Sequence, residues 1–417
     1  MKRPLRISIN ATRIDGPWGG GNRFVGVLER HLVEQGHSVV RDLRPGLDAI
    51  LMIGVQRGLR IVSYGPDEVR DYLLTHPRTA AVLRVNNCDQ AKGRDEGINR
   101  QMIAAGAAAD HVVFCSAFSQ RLYAEAGMPA DVPQSVILTG ADEAVFYPVE
   151  DSAARRWTPG QPLKLITHHW STGMLKGFDV YERVDALLDE PGVAEKLSLT
   201  YIGKRSPGMS LPRSRWREPM DGPEIAEQLR AHHVLLTGAR HEAGGNHYIE
   251  AMRCGLPVLY LESGANAEYC APYGLGFRPH QLEAQLAALP DLYPDLVKAV
   301  RHGPHPASAM ARQYERMLQA AVDQRRAQPR DDAGWRQHGR LLLRKTRRRL
   351  RRRLPTVTLR WDNSKKTTPT TRVAPGNPAK KRPEPETADR RHPQSPGIAA
   401  GEAGAPGAPG GEAERGE

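Results

Sequence analysis

The chain has 417 residues, a length that allows two domains with separate hydrophobic cores and additional sequence. Its formal net charge is +12, but residues 331–417 hold 20 basic and 10 acidic residues, so the preceding residues carry only about +2. That distribution argues against a body built to bind nucleic acid, and four cysteines without a CxxC pair argue against a disulfide framework or a zinc site.

The apolar runs predict two α/β domains. In residues 1–150, short apolar runs alternate with helical patterns, and they lie at 6–10, 38–41, 49–53, 80–85, 111–115 and 136–138. A polar, proline-containing stretch at 149–162 reads as a linker, and residues 151–330 repeat the alternation at 163–167, 199–202, 234–237 and 257–261. Alternation of this kind is typical of doubly wound parallel sheets, which bind ligands at the carboxyl ends of their strands. We therefore predict two Rossmann-like domains facing a cleft. A last helical pattern at 305–326 fits either a return to the first domain or ordinary packing.

The stretch from His241 to Met252 is the most informative part of the sequence. It follows an apolar strand and leads into a helix, so its glycines form a strand-to-helix turn whose N–H groups can collect an anion. Glu242 lies in this turn and Glu250 in the helix. Carboxylates beside an anion site suit a ligand that also carries hydroxyls, as a nucleotide sugar does. The alternative is a surface loop with two unrelated acids.

This block resembles the Glu-x7-Glu signature of retaining GT-B glycosyltransferases of family 4. The resemblance implies that Glu242 faces the donor sugar, that Glu250 holds the ribose hydroxyls, and that the amides of Gly244, Gly245 and Asn246 reach the sugar and diphosphate. It also implies retention of configuration, no required metal and no cofactor besides the nucleotide diphosphate sugar that serves as substrate.

A glycine-rich loop precedes the first predicted helix. A dinucleotide fingerprint is one interpretation, since Asp42 ends the second strand about 20 residues on, but Phe24 occupies the position of the third glycine. The family has a similar double-glycine loop facing the donor phosphates and the acceptor, and Gly20 and Gly21 match it best.

The segment from His168 to Asp179 follows the first strand of the second domain. The family places an Arg and a Lys here against the diphosphate; Lys176 before Gly177 matches the Lys, but Ser171 stands where the Arg is expected. Arg205 is our prediction for the missing cation. The adjacent His168 and His169 are not predicted to bind a metal, because neighbouring strand residues point in opposite directions and no third ligand accompanies them.

Polar residues cluster after the strand that ends near residue 85. They predict an acceptor side that contains Asn86, Asn87 and Asp89, to which we add His169. A loop held by its own Asn and Asp hydrogen bonds is an equally good interpretation.

We therefore predict an enzyme that transfers a sugar from a nucleotide diphosphate sugar to an acceptor hydroxyl. One alternative is a sugar-nucleotide epimerase of the same fold, which needs no acceptor. The other is a non-catalytic protein that binds membrane or nucleic acid through its basic C-terminal part.

The C-terminal part has a different composition. Residues 331–361 form a predicted basic amphipathic segment, within which 335–354 could lie on an anionic membrane and bring the enzyme to a lipid-linked or polymeric glycan acceptor. A solvated arm and a nonspecific polyanion binder are alternatives, and no specific nucleic acid is expected. Residues 362–417 predict a disordered tail. Without a long apolar window, the predicted location is the cytoplasm, with the inner face of the membrane as a peripheral site.

Overall fold

The computed structural model describes residues 3–12, 19–56, 61–149 and 157–330. The predicted segments 331–361 and 362–417, including the proposed membrane contact at 335–354, lie outside the described residues. Residues 150–156, in the middle of the predicted linker 149–162, also lie outside the described residues.

The first domain is built on a six-stranded parallel sheet with the strand order β2-β1-β3-β4-β5-β6. Its strands are β1 (Arg6–Ile9), β2 (Ser38–Val40), β3 (Ala49–Met52), β4 (Ala80–Val85), β5 (His111–Phe114) and β6 (Gln134–Val136). Its helices are α1 (Gly19–Glu34), α2 (Pro66–Thr75), α3 (Ile98–Gly106) and α4 (Ala117–Glu125). Every residue of β3 and β4 is buried, because helices cover both faces of the sheet and leave no strand face for water.

The second domain contains another six-stranded parallel sheet, with the order β12-β11-β10-β7-β8-β9. Its strands are β7 (Leu163–His169), β8 (Leu197–Gly203), β9 (Arg215–Arg217), β10 (Val234–Thr237), β11 (Val258–Leu261) and β12 (Gly274–Phe277). Its helices are α5 (Phe178–Leu187), α6 (Gly222–Arg230), α7 (Asn246–Arg253), α8 (Asn266–Cys270) and α9 (Leu282–Val300). The strand order reverses between β7 and β10, and a crevice opens at such a point in sheets of this kind. The predicted pair of parallel-sheet α/β domains is confirmed.

A final helix, α10 (Ala307–Ala327), returns to the first domain. Its buried face joins the core beneath the first sheet, where Tyr314 meets Phe24 with ring centroids 5.0 Å apart. Ion pairs from Arg325 to Asp110 and from Arg326 to Asp48 hold its last turns. Residues 307–327 therefore lie with the first sheet, although the sequence places them in the predicted domain 151–330. None of the helices in the described ranges is both long and apolar enough to cross a membrane.

Candidate active site in the interdomain cleft

A cavity of about 510 Å³ lies between the two domains, at the carboxyl ends of their strands. We call its two sides the C-terminal wall (His168, His169, Lys176, Glu242 and Glu250) and the N-terminal wall (Arg84, Asn86, Asn87 and Lys92). Most residues predicted from the sequence line this one cavity: Gly20, Gly21, Asn86, Asn87, His169, Lys176, Glu242, Gly244, Gly245, Asn246 and Glu250. Asp89 and Arg205 are not among its lining residues.

The backbone turn that carries Glu242 is tightly constrained. His241 has a positive φ of 54°, and Gly264 approaches so closely that a Cβ there would lie 2.6 Å from the Glu242 nitrogen. Within this turn, the Glu242 carboxylate forms an ion pair with the Lys176 ammonium. The two residues predicted to act at the reacting sugar are therefore in direct contact.

Lys176 reaches Glu242 because the backbone at Gly177 packs directly against the backbone at Gly238. Gly177 has a φ of +88°, and a Cβ at this residue would lie 2.3 Å from the carbonyl carbon of Gly238, just after β10. Only glycine fits such an approach. The Lys-Gly pair thus places a cation at the point where β7 and β10 diverge.

Glu250 lies deeper in the cavity, on α7, with only 2% of its side chain exposed. Its Oε1 accepts a hydrogen bond from the guanidinium of Arg23, which also donates to Asp221. Since Arg23 belongs to α1, this ion pair joins the first domain to the predicted ribose-binding residue. We did not predict a role for Arg23. Its position directly after the glycine-rich stretch is the sequence feature that could have indicated one.

The first turn of α1, where the sequence predicts a glycine-rich loop, touches the second domain beside this pair. A Cβ on Gly20 would lie 2.4 Å from Nδ2 of Asn246, the first residue of α7. The turn can therefore approach the start of α7 only because Gly20 has no side chain.

His168 and His169 of the C-terminal wall, and His247 beside them, are neutral at pH 7. His169 Nε2 is 2.5 Å from the hydroxyl of Tyr181, and His247 Nε2 is 2.7 Å from Oγ1 of Thr237. Burial lowers the pKa of His247 to about 3 and lowers the pKa values of His168 and His169 well below their usual range. His169 belongs to β7, so it lies on the C-terminal wall and not beside Asn86 and Asn87, with which the sequence grouped it.

On the N-terminal wall, the polar residues after β4 divide into two groups. Asn86 and Asn87 line the cavity, whereas the Asp89 carboxylate accepts hydrogen bonds from the backbone N–H groups of Glu96, Ile98 and Asn99 at 2.9–3.0 Å. Asp89 therefore caps the start of α3. For Asp89 the geometry favours the alternative interpretation, in which Asn and Asp side chains hold the loop by hydrogen bonds.

Arg84 is a further residue that sequence reasoning left without a role. It is 4% exposed, and its guanidinium carbon lies 4.0 Å from the centroid of the Phe24 ring. Nη2 donates to Oγ1 of Thr139 at 3.3 Å, and no described carboxylate forms an ion pair with it. Arg84 thus contributes a buried positive charge to the N-terminal wall.

Arg205, our prediction for the second diphosphate cation, is exposed outside the cavity. Its guanidinium carbon lies 4.3 Å from the centroid of the Trp216 ring. The described cations that line the cavity are instead Arg23, Arg84, Lys92 and Lys176.

Solved structures with similar folds support the GT-B architecture. WaaG, a glycosyltransferase involved in lipopolysaccharide biosynthesis, matches with a TM-score of 0.55 at 16% identity over 75% of this chain and 99% of WaaG. Sucrose-phosphate synthase from Thermosynechococcus elongatus gives 0.54 at 17% identity over 76% of this chain and 99% of its own. Anabaena HepE in complex with UDP-glucose gives 0.53 at 14% identity over 76% and 100%. No family model and no curated protein sequence matches the chain. The chain has the GT-B fold.

Proposed function

We propose that this protein is a glycosyltransferase that moves a sugar from a nucleotide diphosphate sugar to an acceptor hydroxyl, with retention of configuration and without a required metal. The observation that carries the proposal is the convergence of Lys176, Glu242, Glu250 and the Gly244–Asn246 turn on one interdomain cavity. HepE, which shares the fold, is known in complex with UDP and with UDP-glucose.

The diphosphate would lie between Lys176 and the N–H groups of the turn. Negative charge grows on the departing diphosphate in the transition state, and a fixed ammonium with backbone dipoles stabilises that charge without reorganisation. Arg23 lies at the same cavity and replaces Arg205 in our proposal as the second cation.

Glu242 would orient the donor sugar and stabilise positive charge at its anomeric carbon. Its carboxylate pairs with Lys176, and donor binding would exchange this ion pair for contacts to the sugar and phosphate. Because no side chain on the N-terminal wall is a carboxylate or a free imidazole among the described residues, the leaving phosphate oxygen is our choice for the group that accepts the acceptor's proton.

The acceptor would enter beside Asn86 and Asn87. A second cavity of about 200 Å³ adjoins them and is lined mainly by apolar side chains: Val25, Ile53, Val55, Ile61, Val62, Ile98 and Met102. A lipid-linked or polymeric glycan remains our prediction for the acceptor, and a peripheral membrane contact through 335–354 remains a proposal for residues outside the described part of the chain.

A thermal-shift panel tests the proposal, using UDP, GDP, dTDP and ADP with the wild-type protein and with Glu250→Ala. We expect at least one diphosphate to raise the melting temperature of the wild type and to lose this effect in the variant. Stabilisation by none of the four would contradict the proposal. Conversion of the matching nucleotide sugar without any acceptor would point to the epimerase alternative.

A further inference from the structure

Two hydrogen-bond acceptors face each other at the base of the cavity. Oε2 of Glu250 and Nε2 of His168 are 3.7 Å apart, and both atoms are buried. Neither has a hydrogen-bond partner among the described residues. Buried polar atoms in folded proteins are nearly always paired with a protein group, a water or a ligand, so this couple at the cavity marks a position for a hydrogen-bond donor.

The protonation states leave no donor between these atoms. Arg23 donates to Oε1 of Glu250, which favours an ionised carboxylate whose two oxygens can only accept. The backbone of His247 favours a proton on the His168 ring, and because Nε2 has no hydrogen-bond partner among the described residues, we place that proton on the other ring nitrogen. Burial and the nearby Arg23 charge lower the pKa of His168, so the ring is neutral and Nε2 presents a lone pair.

A separation of 3.7 Å is too long for a direct hydrogen bond, and a group between the two atoms must supply O–H donors to both. A water molecule and a vicinal diol are both such groups, and of the two only the diol belongs to a nucleotide sugar, whose binding would displace the water. The ribose of a ribonucleotide has this diol, whereas a deoxyribose has a single hydroxyl at these positions.

We propose that His168 is a second ribose-binding residue, and that it and Glu250 each accept a hydrogen bond from one hydroxyl of the ribose diol. The donor is therefore a ribonucleoside diphosphate sugar and not a deoxyribonucleoside diphosphate sugar. This inference rests on the proposed function, and it narrows the class of donor.

Loss of one hydroxyl leaves one buried acceptor unpaired. The resulting penalty corresponds to a roughly 10- to 100-fold loss of affinity for each missing hydroxyl. Because either acceptor can be left unpaired, both the 2′-deoxy and the 3′-deoxy forms should bind more weakly.

Calorimetric titration tests this inference with the ribonucleoside diphosphate that binds the wild type, together with its 2′-deoxy and 3′-deoxy forms. In the wild type we expect both deoxy forms to bind about 10- to 100-fold more weakly. His168→Phe keeps an aromatic ring but removes the acceptor nitrogen. One deoxy form should then bind this variant as well as the ribonucleotide does, while the other should still bind more weakly because Glu250 loses its hydroxyl. His168→Gln, which restores an acceptor oxygen, should recover discrimination against both. His280→Phe, at an exposed position, is the matched control and should behave as the wild type does.

Equal binding of all three nucleotides by the wild type would overturn the inference without any variant. Unchanged discrimination in His168→Phe would also overturn it, since Glu250 would then read both hydroxyls alone. Failure of every nucleoside diphosphate to bind is a different result, because it overturns the proposed function and this inference with it.

Discussion

The two walls of the cleft differ in how their polar side chains are held. On the C-terminal wall, Lys176 and Glu242 form an ion pair, and Glu250 accepts a hydrogen bond from Arg23. His169 is hydrogen-bonded to the hydroxyl of Tyr181. On the N-terminal wall only part of the polar side chains is held: Arg84 donates to Thr139, and Asn87 Oδ1 accepts from the Cys88 N–H. Lys92 is exposed there, and Asn86 is partly exposed. A wall with fixed side chains suits a ligand whose charges and hydroxyls are always in the same places, because little reorganisation is needed on binding.

This difference explains why the sequence indicates a donor class more clearly than an acceptor. The proposed donor side is specified by short local patterns that set backbone geometry, such as the glycine beside Lys176. The proposed acceptor side depends on which surface side chains surround a partly apolar cavity. The predictions below test whether the walls really divide the function in this way.

The largest expected effect is that of Glu242→Gln, which removes the charge of the C-terminal wall nearest to the proposed reacting sugar. We expect kcat for sugar transfer to fall about 10²- to 10³-fold, because a charge that acts in the transition state is lost. Nucleoside diphosphate affinity should change little. Steady-state kinetics and calorimetry measure the two quantities. Glu283→Gln is the control, since its ion pair with Arg183 lies on the surface.

Lys176→Ala should weaken diphosphate binding by roughly 10- to 100-fold, since a charge-assisted contact is removed. Arg205→Ala should change it by less than about threefold, because this guanidinium stacks on Trp216 outside the cavity. Calorimetry of both variants with one diphosphate distinguishes the two sites. A larger loss for Arg205→Ala than for Lys176→Ala would restore the cation assignment made from the sequence.

Arg23→Met tests the contact through which the first domain fixes Glu250 on the C-terminal wall. Without Arg23, Oε1 of Glu250 loses its partner, and we expect nucleotide affinity to fall roughly 5-fold. The matched control is Arg30→Met on the same helix, whose pair with Asp142 is more exposed. If both variants bind nucleotide equally well, Arg23 does not position Glu250.

A further expected effect is on stability and concerns acid and the buried histidines of the second domain. Burial lowers the pKa of His233 to about 4, below its value of about 6.5 in an unfolded chain. The unfolded state therefore binds more protons between these values, so the stabilisation is complete above pH 6.5 and is lost as the pH falls towards 4. Between pH 7 and pH 5 this residue should reduce the free energy of unfolding by roughly 1 to 2 kcal/mol.

Urea unfolding at the two pH values measures this change. The backbone N–H of Lys164 donates a hydrogen bond to Nδ1 of His233 at 3.0 Å. His233→Asn keeps an acceptor for this N–H but removes the titrating ring, so the difference in the free energy of unfolding between pH 7 and pH 5 should become smaller. An unchanged difference in the variant would show that other groups cause the acid sensitivity.

Much of the fold and part of the site follow from the sequence because local chemistry decides them. Largely apolar runs of three to six residues predicted most strands, and the glycines beside Lys176 and Glu242 predicted the turns at their ends. The short edge strands β9 and β12 were missed, since Arg215–Arg217 and Gly274–Phe277 show no continuous apolar run. An edge strand has only one neighbour, so its composition is less constrained.

Differences between the expected and the observed places of site residues have another cause. The ion pair of Arg23 with Glu250 joins residues 227 positions apart, and no local spacing can indicate it. Asp89 was predicted as a binding residue because polar side chains collect at strand ends, but the start of α3 needs an acceptor for its N–H groups and takes this carboxylate. Arg205 was predicted from chain order alone, whereas stacking on Trp216 decides its place.

The most direct test is a crystal structure of the protein with the nucleoside diphosphate that stabilises it best. The account predicts the diphosphate against Lys176 and the amides of Gly244–Asn246, with the ribose hydroxyls at Oε2 of Glu250 and Nε2 of His168. A nucleotide bound elsewhere, or one whose ribose points away from Glu250, would contradict it.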